Sequence, residues 1–367
     1  MRHLKRIVIK IGSSVILKKS GELNRECLES LVIQIAEIHR DGEVIIVSSG
    51  AIGIGKTILR VNEPIDLSEK QALAAVGQAR LMQIYESFFS KFGIRVGQVL
   101  LTREDLQGRK RYLNARNTLL KLLEHKVIPV INENDTVAVE EIKFGDNDTL
   151  SALIASKMDA DLLIILSDVG GVYKNYEKRE TGVIREVNVK TIKRISIATK
   201  SASAFGIGGI TTKIEAAKIM MASGIPMVVA HGHQRSVIRE LIKEFEREKE
   251  TGTWFIPEKK ISGKKRWIAF SAEVKGAIIV DVGAAKALKE SRKSLLPSGV
   301  KKVEGDFESG DVAQVVNTSG QEIAKGLVYY SSDEIRKIAG KKTSEIASIL
   351  GHKDYDEVIH RDNMVIL

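Results

Sequence analysis

The sequence predicts an α/β fold class, with a mostly parallel sheet covered by helices on both faces and a smaller, mostly β domain after it. Over the first 256 residues, short β-branched runs alternate with longer segments of helical period. The predicted strands are apolar almost throughout, as strands buried on both faces are. After a basic segment at 257–270, short alternating segments are separated by glycines. We therefore expect domains at 1–256 and 271–367, joined by a linker at 257–270.

The elements of the first domain follow one another in this alternating order. Ile7–Ile11 predicts the first strand, and Leu28, Leu31 and Ile35 then recur at helical spacing. Further strands are predicted at Val44–Val47, Val96–Leu101, Val127–Ile131, Leu162–Leu166 and Met227–Ala230. Further helices are predicted at about Ser68–Phe92, Thr211–Ala222 and Val237–Arg247. In the second domain, strands are predicted at Ala277–Val280, Val312–Val316 and Ala324–Tyr329.

The composition is that of a folded protein with two domains. At 367 residues the chain is too long for one ordinary core, and 43% of its residues are hydrophobic. Its apolar runs end far short of a membrane span, and Met1–Lys10 lacks the layout of a signal peptide, so we expect a cytoplasmic protein without a membrane partner. The single cysteine, Cys27, excludes an internal disulfide framework and a cysteine-built zinc site.

The net charge of +10 is compatible with two kinds of partner. Nucleic acid is one of them, because a positive field attracts its phosphates. Small anionic substrates are the other, because an enzyme that binds them gains from the same field. Charge alone does not decide between these two readings.

The segment Gly50–Thr57 fits the phosphate-loop pattern G-x-x-x-x-G-K-[ST] and follows a predicted strand. The strand that ends at Ser167 and Asp168 could then present a magnesium-binding aspartate. Taken by itself, this pair of features would indicate a nucleotide hydrolase of the phosphate-loop class, with Lys56 on the phosphates.

Two other segments have the composition of anion sites. Lys10 precedes the small turn Gly12-Ser13-Ser14 at the end of the first strand, so an ammonium and several backbone N–H groups could face one phosphate. The segment Gly206–Lys213 places glycines next to a helix start and a lysine in its first turn. An ordinary turn and an exposed flexible loop are the competing interpretations of these two segments.

Amides and carboxylates cluster after one strand and at the start of one helix. The first cluster is Asn132–Asp135, and the second is Gly145–Asp148. Both lie where open α/β sheets bind ligands. Helix capping by Asp146 or Asn147 would explain one such residue, but not so many polar groups together. The pair His231 and His233 has metal-like spacing without a third ligand nearby, so a polar loop explains it better.

In order along the chain, these segments resemble the amino acid kinase family, and within it the members that phosphorylate free glutamate. The resemblance is carried by V-I-K-I-G-S-S, S-S-G-A-I, A-A-V-G-Q-A-R-L, L-N-A-R-N-T, V-I-P-V-I-N-E-N-D, I-K-F-G-D-N-D-T-L-S-A and G-I-G-G-I-T-T-K, and beyond the linker by K-K-R-W-I, S-L-L-P-S-G-V, R-K-I-A-G and V-I-H-R-D-N-M. It implies a three-layer α/β/α sandwich with a mostly parallel sheet, plus a small, mostly β PUA-like domain. It also implies that Lys56 and Thr57 match the phosphate-loop pattern by chance, on a helix.

The resemblance also implies roles for individual residues. Lys10 and Lys213 would be the catalytic lysines that face the phosphates, and Asp148 would hold them in place. Glutamate would bind at Ser49, Gly50, Ala51, Asn132, Asn134, Asp135 and Asn147. The nucleotide would bind at Lys10, Gly12, Ser13, Ser167, Asp168, Ile207, Gly208, Gly209, Ile210, Thr211, Thr212 and Lys213. Ser167 and Ile207 stand where the family often has threonine, and His231 and His233 also depart from its pattern.

The implied partners are ATP with Mg²⁺ and L-glutamate, and no protein ligand for the metal is assigned. Proline is implied as an inhibitor, a glutamyl-phosphate reductase as the functional partner, and a dimer or tetramer as the oligomeric state. RNA binding by the PUA-like domain is the rival interpretation, although Glu304, Asp306 and Asp311 leave that domain without a clean basic face.

Overall fold

The computed structural model describes residues 4–61, 65–107, 109–137, 147–173, 182–189, 191–192, 208–258, 268, 274–291 and 293–366. The chain divides into two compact units, Met1–Ile261 and Ser262–Leu367. Most of the segment predicted as a linker, 259–267 and 269–270, lies outside the described residues.

The first unit is built on one mostly parallel sheet. Its strands are β1 (Arg6–Ile11), β2 (Glu43–Ser48), β3 (Arg95–Leu101), β4 (Val127–Glu133), β5 (Leu162–Ser167), β6 (Glu186–Val187), β7 (Met227–His231) and β8 (Thr253–Phe255). Within the described residues they form eight strands in the order β3-β4-β2-β1-β5-β7-β8-β6. Only the pair of β7 and β8 is antiparallel in this part of the chain. The strands predicted from apolar runs are all present.

The helices of this unit connect the strands, and side chains cap the starts of α2 and α4. They are α1 (Ser13–Ile16), α2 (Arg25–Asp41), α3 (Ala51–Leu59), α4 (Leu67–Phe89), α5 (Arg103–Gln107), α6 (Arg109–Glu124), α7 (Asn147–Lys157), α8 (Gly208–Ala222) and α9 (Val237–Glu244). Asn24 accepts a hydrogen bond from the backbone N–H of Cys27 to cap α2, and Asp66 accepts one from that of Glu69 to cap α4.

Alternate residues of each strand face opposite sides of the sheet, and each side has its own layer of helices. Val8 of β1 belongs to a buried cluster with residues of α6, α7 and α8. Its neighbours Ile7 and Ile9 belong to a second cluster, with residues of α2, α4 and α9. Two apolar cores on either side of one sheet make a three-layer α/β/α sandwich, which confirms the predicted fold class.

Helices α3 and α4 approach each other closely because both carry glycine at the crossing. A Cβ added to Gly55 would lie 2.0 Å from the carbonyl oxygen of Leu73, and one added to Gly77 would lie 1.8 Å from that of Ala51. No side chain fits at such distances, so these glycines hold the two helix backbones in direct contact.

The second unit is small and mostly β, as predicted. Its strands are β9 (Val274–Val280), β10 (Val300–Gly305), β11 (Val312–Val316), β12 (Glu322–Leu327) and β13 (Met364–Ile366), and its helices are α10 (Val282–Ser291), α11 (Ser332–Ile338) and α12 (Ile346–Leu350). Among the described residues the five strands have the order β10-β9-β11-β12-β13. Their inner faces and the helices enclose a separate core that includes Ile278, Val315 and Ile335.

None of the helices in the described part of the chain has the length and apolarity that crossing a bilayer requires.

Candidate active site

The carboxyl ends of β1, β2, β4 and β5 open into a cleft of about 670 Å³. Ser13, Ser49, Asn132 and Asp168, each of which lies at or just beyond the end of one of these strands, line the cleft. Ligands of open α/β sheets bind outside the carboxyl ends of the strands, so this is the expected position of a site.

Two lysines from distant parts of the chain meet at one buried carboxylate beside this cleft. Lys10 Nζ lies 2.7 Å from Asp148 Oδ1, and Lys213 Nζ lies 3.1 Å from Asp148 Oδ2. Thr212 donates its hydroxyl to the same Oδ2 at 2.8 Å. Lys10 and Lys213 are each 7% exposed and Asp148 is 3% exposed, so water screens these charges little.

The charge of this cluster favours an anionic ligand. Burial alone would raise the pKa of Asp148, but the positive charges of Lys10 and Lys213 outweigh it and hold that pKa well below its usual range. Asp148 is therefore ionised, and within this trio two ammonium groups against one carboxylate leave an excess positive charge, which the carboxylate of Asp168 offsets only at longer range. An uncompensated buried charge is costly, and a phosphate group would compensate it.

Three predicted glutamate-binding residues are joined by hydrogen bonds. Asn147, at the start of α7, donates from Nδ2 to Ser49 Oγ at 3.1 Å and to Asn132 Oδ1 at 3.1 Å. The Oδ1 of Asn147 is buried and has no hydrogen-bond partner among the described residues. A buried acceptor without a donor costs about 1–3 kcal/mol, which a ligand that donates a hydrogen bond would recover.

The other predicted glutamate-binding residues divide between two cavities. Gly50, whose φ of 104° favours glycine, and Ala51 line the cleft at the start of α3. Asp135 also lines it, and burial raises the pKa of Asp135 to about 6. Asn134 lines a smaller cavity of about 210 Å³ beside the cleft, which Asp135 borders as well, and Asn134 Oδ1 accepts a hydrogen bond from Thr136 at 2.6 Å.

The predicted nucleotide-binding residues at the ends of β1 and β5 are neighbours. The backbone N–H of Gly12 donates to the carbonyl of Leu166 at 3.0 Å, which ties the Gly12-Ser13 turn to β5. Ser167 Oγ donates to Asp168 Oδ1 at 3.0 Å. Burial would raise the pKa of Asp168, but hydrogen bonds such as that from Ser167 lower it below its ordinary value. Asp168 thus presents a carboxylate to the cleft.

The predicted glycine-rich loop differs from the structure. Helix α8 begins at Gly208, before the predicted start at Thr211, so residues 208–212 form its first turns. The helix extends this far because Ile210 packs into the core, where it is 3% exposed. The carbonyl of Gly209 accepts from Lys213 Nζ at 3.1 Å, and the Thr211 hydroxyl is buried without a hydrogen-bond partner among the described residues. Ile207 lies outside them.

The phosphate-loop pattern at Gly50–Thr57 is not a loop. Residues from Ala51 onward form α3, and its Gly55 faces α4 rather than a ligand. The Thr57 hydroxyl donates to carbonyl oxygens of Gly21 and Gly53, at 2.9 and 3.2 Å. The expectation that Lys56 and Thr57 lie on a helix is confirmed.

His233 lines the cleft, although its sequence context indicated only a polar loop. Asn24 uses its Oδ1 to cap α2, so its Nδ2 faces His233 Nδ1 at 3.3 Å. The other ring nitrogen, Nε2, then carries the hydrogen and donates to the carbonyl of Ser14 at 3.1 Å. His233 therefore supports the turn after β1. Its position just past β7, next to β5 in the sheet, was the available signal.

Two family models match the chain. The model of the amino acid kinase family matches residues 5–231, and the model of the PUA domain matches residues 276–350.

Several proteins named glutamate 5-kinase are similar to the chain over its length. The protein of Caldanaerobacter subterraneus subsp. tengcongensis is 52% identical over 367 residues, which cover 99% of this chain and 98% of that protein. The protein of Thermoanaerobacter sp. (strain X514) is 50% identical with the same coverage. That of Carboxydothermus hydrogenoformans is 50% identical over 378 residues, which cover 100% of this chain and 99% of that protein.

A solved structure shares the fold of the first unit. Carbamate kinase from Giardia lamblia bound to AMP-PNP superposes with a TM-score of 0.50 at 18% identity, covering 70% of this chain and 100% of that chain. At this level of identity the similarity concerns the fold alone.

Proposed function

Because the chain belongs to the amino acid kinase family, we propose that its cleft transfers the γ-phosphoryl group of ATP to the γ-carboxylate of L-glutamate. The product is L-glutamyl 5-phosphate, and the reaction is the first step of proline biosynthesis. The observation that supports this most is the pair of lysines on Asp148, with excess positive charge, at a cleft whose polar wall is Ser49, Asn132 and Asn147.

The nucleophile needs no general base. A glutamate side chain has a pKa of about 4.3, so at neutral pH its carboxylate is already ionised. The chemical difficulty is to bring this anion against the triphosphate, and phosphoryl transfer is limited mainly by positioning and by charge stabilisation. The absence of a catalytic histidine from the proposed mechanism follows from this.

The two lysines would stabilise the charge that develops on the transferred group. Lys10 and Lys213 come from β1 and α8, and Asp148 holds both ammonium groups while each keeps at least one hydrogen to donate. Groups held in place before the reaction cost little reorganisation when the charge moves. Asp148 therefore acts by positioning the lysines.

The part of the cleft proposed to bind glutamate offers both hydrogen-bond acceptors for its ammonium group and hydrogen-bond donors for its carboxylate. Asp135 and the unpaired Oδ1 of Asn147 are acceptors for the α-ammonium group. The Ser49 hydroxyl and the free backbone N–H groups at the start of α3 are donors for a carboxylate.

The residues present fit Mg²⁺ carried by the nucleotide. Mg²⁺ usually keeps several waters and binds one or two carboxylates together with substrate phosphates. Among the described residues no group of three or more His, Cys, Asp or Glu side chains could hold a metal ion, and Asp148 is engaged by lysines. Asp168, at the cleft, would be the protein ligand. When bound, the ion would offset charge on the phosphates.

The decisive experiment is ATP-dependent formation of glutamyl hydroxamate in the presence of hydroxylamine, because the acyl phosphate reacts readily with this nucleophile. Aspartate and N-acetylglutamate are assayed as acceptors alongside glutamate. We expect hydroxamate from glutamate in clear preference to the other two. No hydroxamate from glutamate, or preference for another acceptor, would refute the proposal.

Replacing Lys56 tests the rejected phosphate-loop reading. We expect Lys56→Ala to change kcat and the KM for ATP by less than about threefold, because surface substitutions on a helix usually have small effects. Steady-state kinetics measure both constants. A loss as large as that from Lys213→Ala would restore the phosphate-loop interpretation.

Asp135→Asn is expected to weaken glutamate binding while stabilising the fold. With its pKa raised to about 6, Asp135 costs stability as pH rises from 3.8 through 6, because the folded state holds the proton more tightly than the unfolded state. Above pH 7 the variant should therefore be more stable by roughly 1–3 kcal/mol, and this gain should vanish near pH 4.

The same substitution should raise the KM for glutamate at pH 8 and remove its pH dependence. In the unmodified protein, the KM should fall as pH rises through about 6, because only the ionised carboxylate pairs with the ammonium group. Chemical denaturation and kinetics from pH 5 to 8 give both results. An unchanged KM would remove Asp135 from the pocket.

Regulation and assembly are further parts of the proposal. We infer from the family resemblance that proline inhibits the enzyme, that a glutamyl-phosphate reductase consumes its product, and that the chain forms a dimer or tetramer. Glutamate saturation curves with and without proline test the inhibition, and sedimentation tests the assembly. Identical curves would contradict inhibition by proline.

A further inference from the structure

A row of amide side chains leads from the cleft to the smaller cavity. Asn147 Nδ2 donates to Asn132 Oδ1 at 3.1 Å, and Asn132 Nδ2 donates to Gln78 Oε1 at 2.9 Å. Gln78 Nε2 in turn donates to Gln98 Oε1 at 3.3 Å. Asn147, Asn132 and Gln78 are buried, whereas Gln98 is exposed on β3.

One backbone group sets the direction of the whole row. The N–H of Glu133 lies 2.9 Å from Asn132 Oδ1, and a backbone N–H can only donate. The atom of Asn132 that faces it must therefore be the oxygen, so the nitrogen of Asn132 faces Gln78. By the same reasoning, the atom of Asn147 that faces Asn132 must be its nitrogen.

This direction determines what Asn147 offers to a ligand. Both hydrogens of its Nδ2 are used, on Ser49 Oγ and Asn132 Oδ1, and its Oδ1 is the buried atom without a partner among the described residues. Asn147 can therefore accept a hydrogen bond from a substrate but cannot donate one. A flipped amide would place its oxygen against Asn132 Oδ1, which also only accepts, and would lose that bond.

We propose that Gln78 is a positioning residue that maintains this direction and thereby makes the site selective for a substrate with a free α-ammonium group. The inference rests on the proposed function and deepens it. Gln78 supplies the acceptor for Asn132 Nδ2, the one polar end of Asn132 that the backbone does not hold. Without that acceptor, Asn132 has a buried unpaired N–H₂ group and rotates to satisfy it, and Asn147 loses the partner that orients it.

The two acceptors at this end of the cleft then act together. Asn147 Oδ1 and the carboxylate of Asp135 both lack a donor or cation of their own in the described contacts, and both line the cleft. An ammonium group has three hydrogens and a positive charge, so it satisfies both. A dicarboxylate without the amino group would leave both unsatisfied, which is the strongest form of discrimination a polar site has.

The experiment compares Gln78→Met, which keeps the size and helical preference of the side chain but removes its polar atoms, with Gln98→Met, the matched control at the exposed end of the row. Glutamate is compared with glutarate, which has the same two carboxylates but no ammonium group, measured as a competing acceptor or inhibitor. The KM for ATP and the thermal unfolding midpoint are measured for each variant.

We expect Gln78→Met to raise the KM for glutamate about tenfold, which corresponds to the loss of one hydrogen bond to a charged group. The same substitution should weaken the binding of glutarate by less than about threefold. The KM for ATP should stay within about twofold, and Gln98→Met should behave like the unmodified protein. If Gln78→Met does not fold, Gln78→Asn, which is too short to reach Asn132, should show the same loss of selectivity.

Equal weakening of glutamate and glutarate would overturn the inference, because it would mean that Gln78 only shapes the pocket. An unchanged KM for glutamate in Gln78→Met would overturn it as well. Failure of the proposed function is distinguishable from both results, since the unmodified protein would then give no glutamyl hydroxamate.

Discussion

Lys10→Ala should lower kcat for glutamyl phosphate formation by about 10²-fold or more, and Lys213→Ala should do the same, as deletion of one preorganised stabilising group does in other enzymes. Both ammonium groups lie on Asp148 and both are buried, so neither can replace the other by moving. The loss should fall mainly on kcat, because the charge that the lysines stabilise is greatest in the transition state.

Two exposed or partly exposed lysines serve as matched controls. Lys5 precedes β1, and Lys218 lies on α8, where it pairs with Glu215 at the surface. Alanine at either position should leave kcat within about twofold, since surface ion pairs contribute little. Single-turnover measurements separate chemistry from binding. If Lys10→Ala or Lys213→Ala kept more than a tenth of the activity, the proposed role of that lysine in stabilising the transferred phosphoryl group would be wrong.

Asp148→Asn should damage the protein in two measurable ways. Removing one partner of a buried ion pair costs about 3–5 kcal/mol, and here it would leave two ammonium groups facing each other. We therefore expect the free energy of unfolding to fall by about 3 kcal/mol at pH 7. Because the folded-state pKa of Asp148 is depressed, this difference should be complete well above 3.8 and should shrink as pH falls below it.

The catalytic effect of Asp148→Asn separates positioning from binding. We expect kcat to fall at least about tenfold while the KM for ATP does not rise, because the added positive charge still attracts phosphate but the lysines are no longer aligned. Asp159→Asn, at an exposed ion pair with Arg116, is the control for the loss of one surface carboxylate. A variant with normal kcat would show that Asp148 has only a structural role.

The sheet and the cluster of lysines could be predicted from the sequence because each has a local signature. Apolar runs such as Leu162–Leu166 predict buried strands, and parallel strands bring their carboxyl ends to one edge. Lys10 lies near the end of the first strand and Asn132 near the end of β4, so their meeting with Asp148 and Asn147 at that edge is a consequence of topology. The proposed substrate came from the family resemblance, and the similarity to proteins named glutamate 5-kinase supports it.

Features that depend on packing at a distance could not be predicted in the same way. Gln78 lies within a long helix, where glutamine usually faces solvent, and nothing local shows that it reaches Asn132. Helix α8 begins earlier than glycine propensity suggests because Ile210 is drawn into the core. Asn134 belongs to the same motif as Asp135 and both border the smaller cavity, yet of the two only Asp135 also lines the cleft.

The contact between α3 and α4 bears on how nucleotide-binding proteins are recognised from sequence motifs alone. At Gly55 the missing side chain makes room for a peptide group of the same protein, whereas in a true phosphate loop it makes room for a ligand. Both requirements select glycine, and here the lysine and threonine that complete the pattern follow it on a helix. Searches for this signature will therefore also find tightly crossed helix pairs. These can be recognised by building a Cβ atom at the glycine and finding that it would overlap the backbone of another helix.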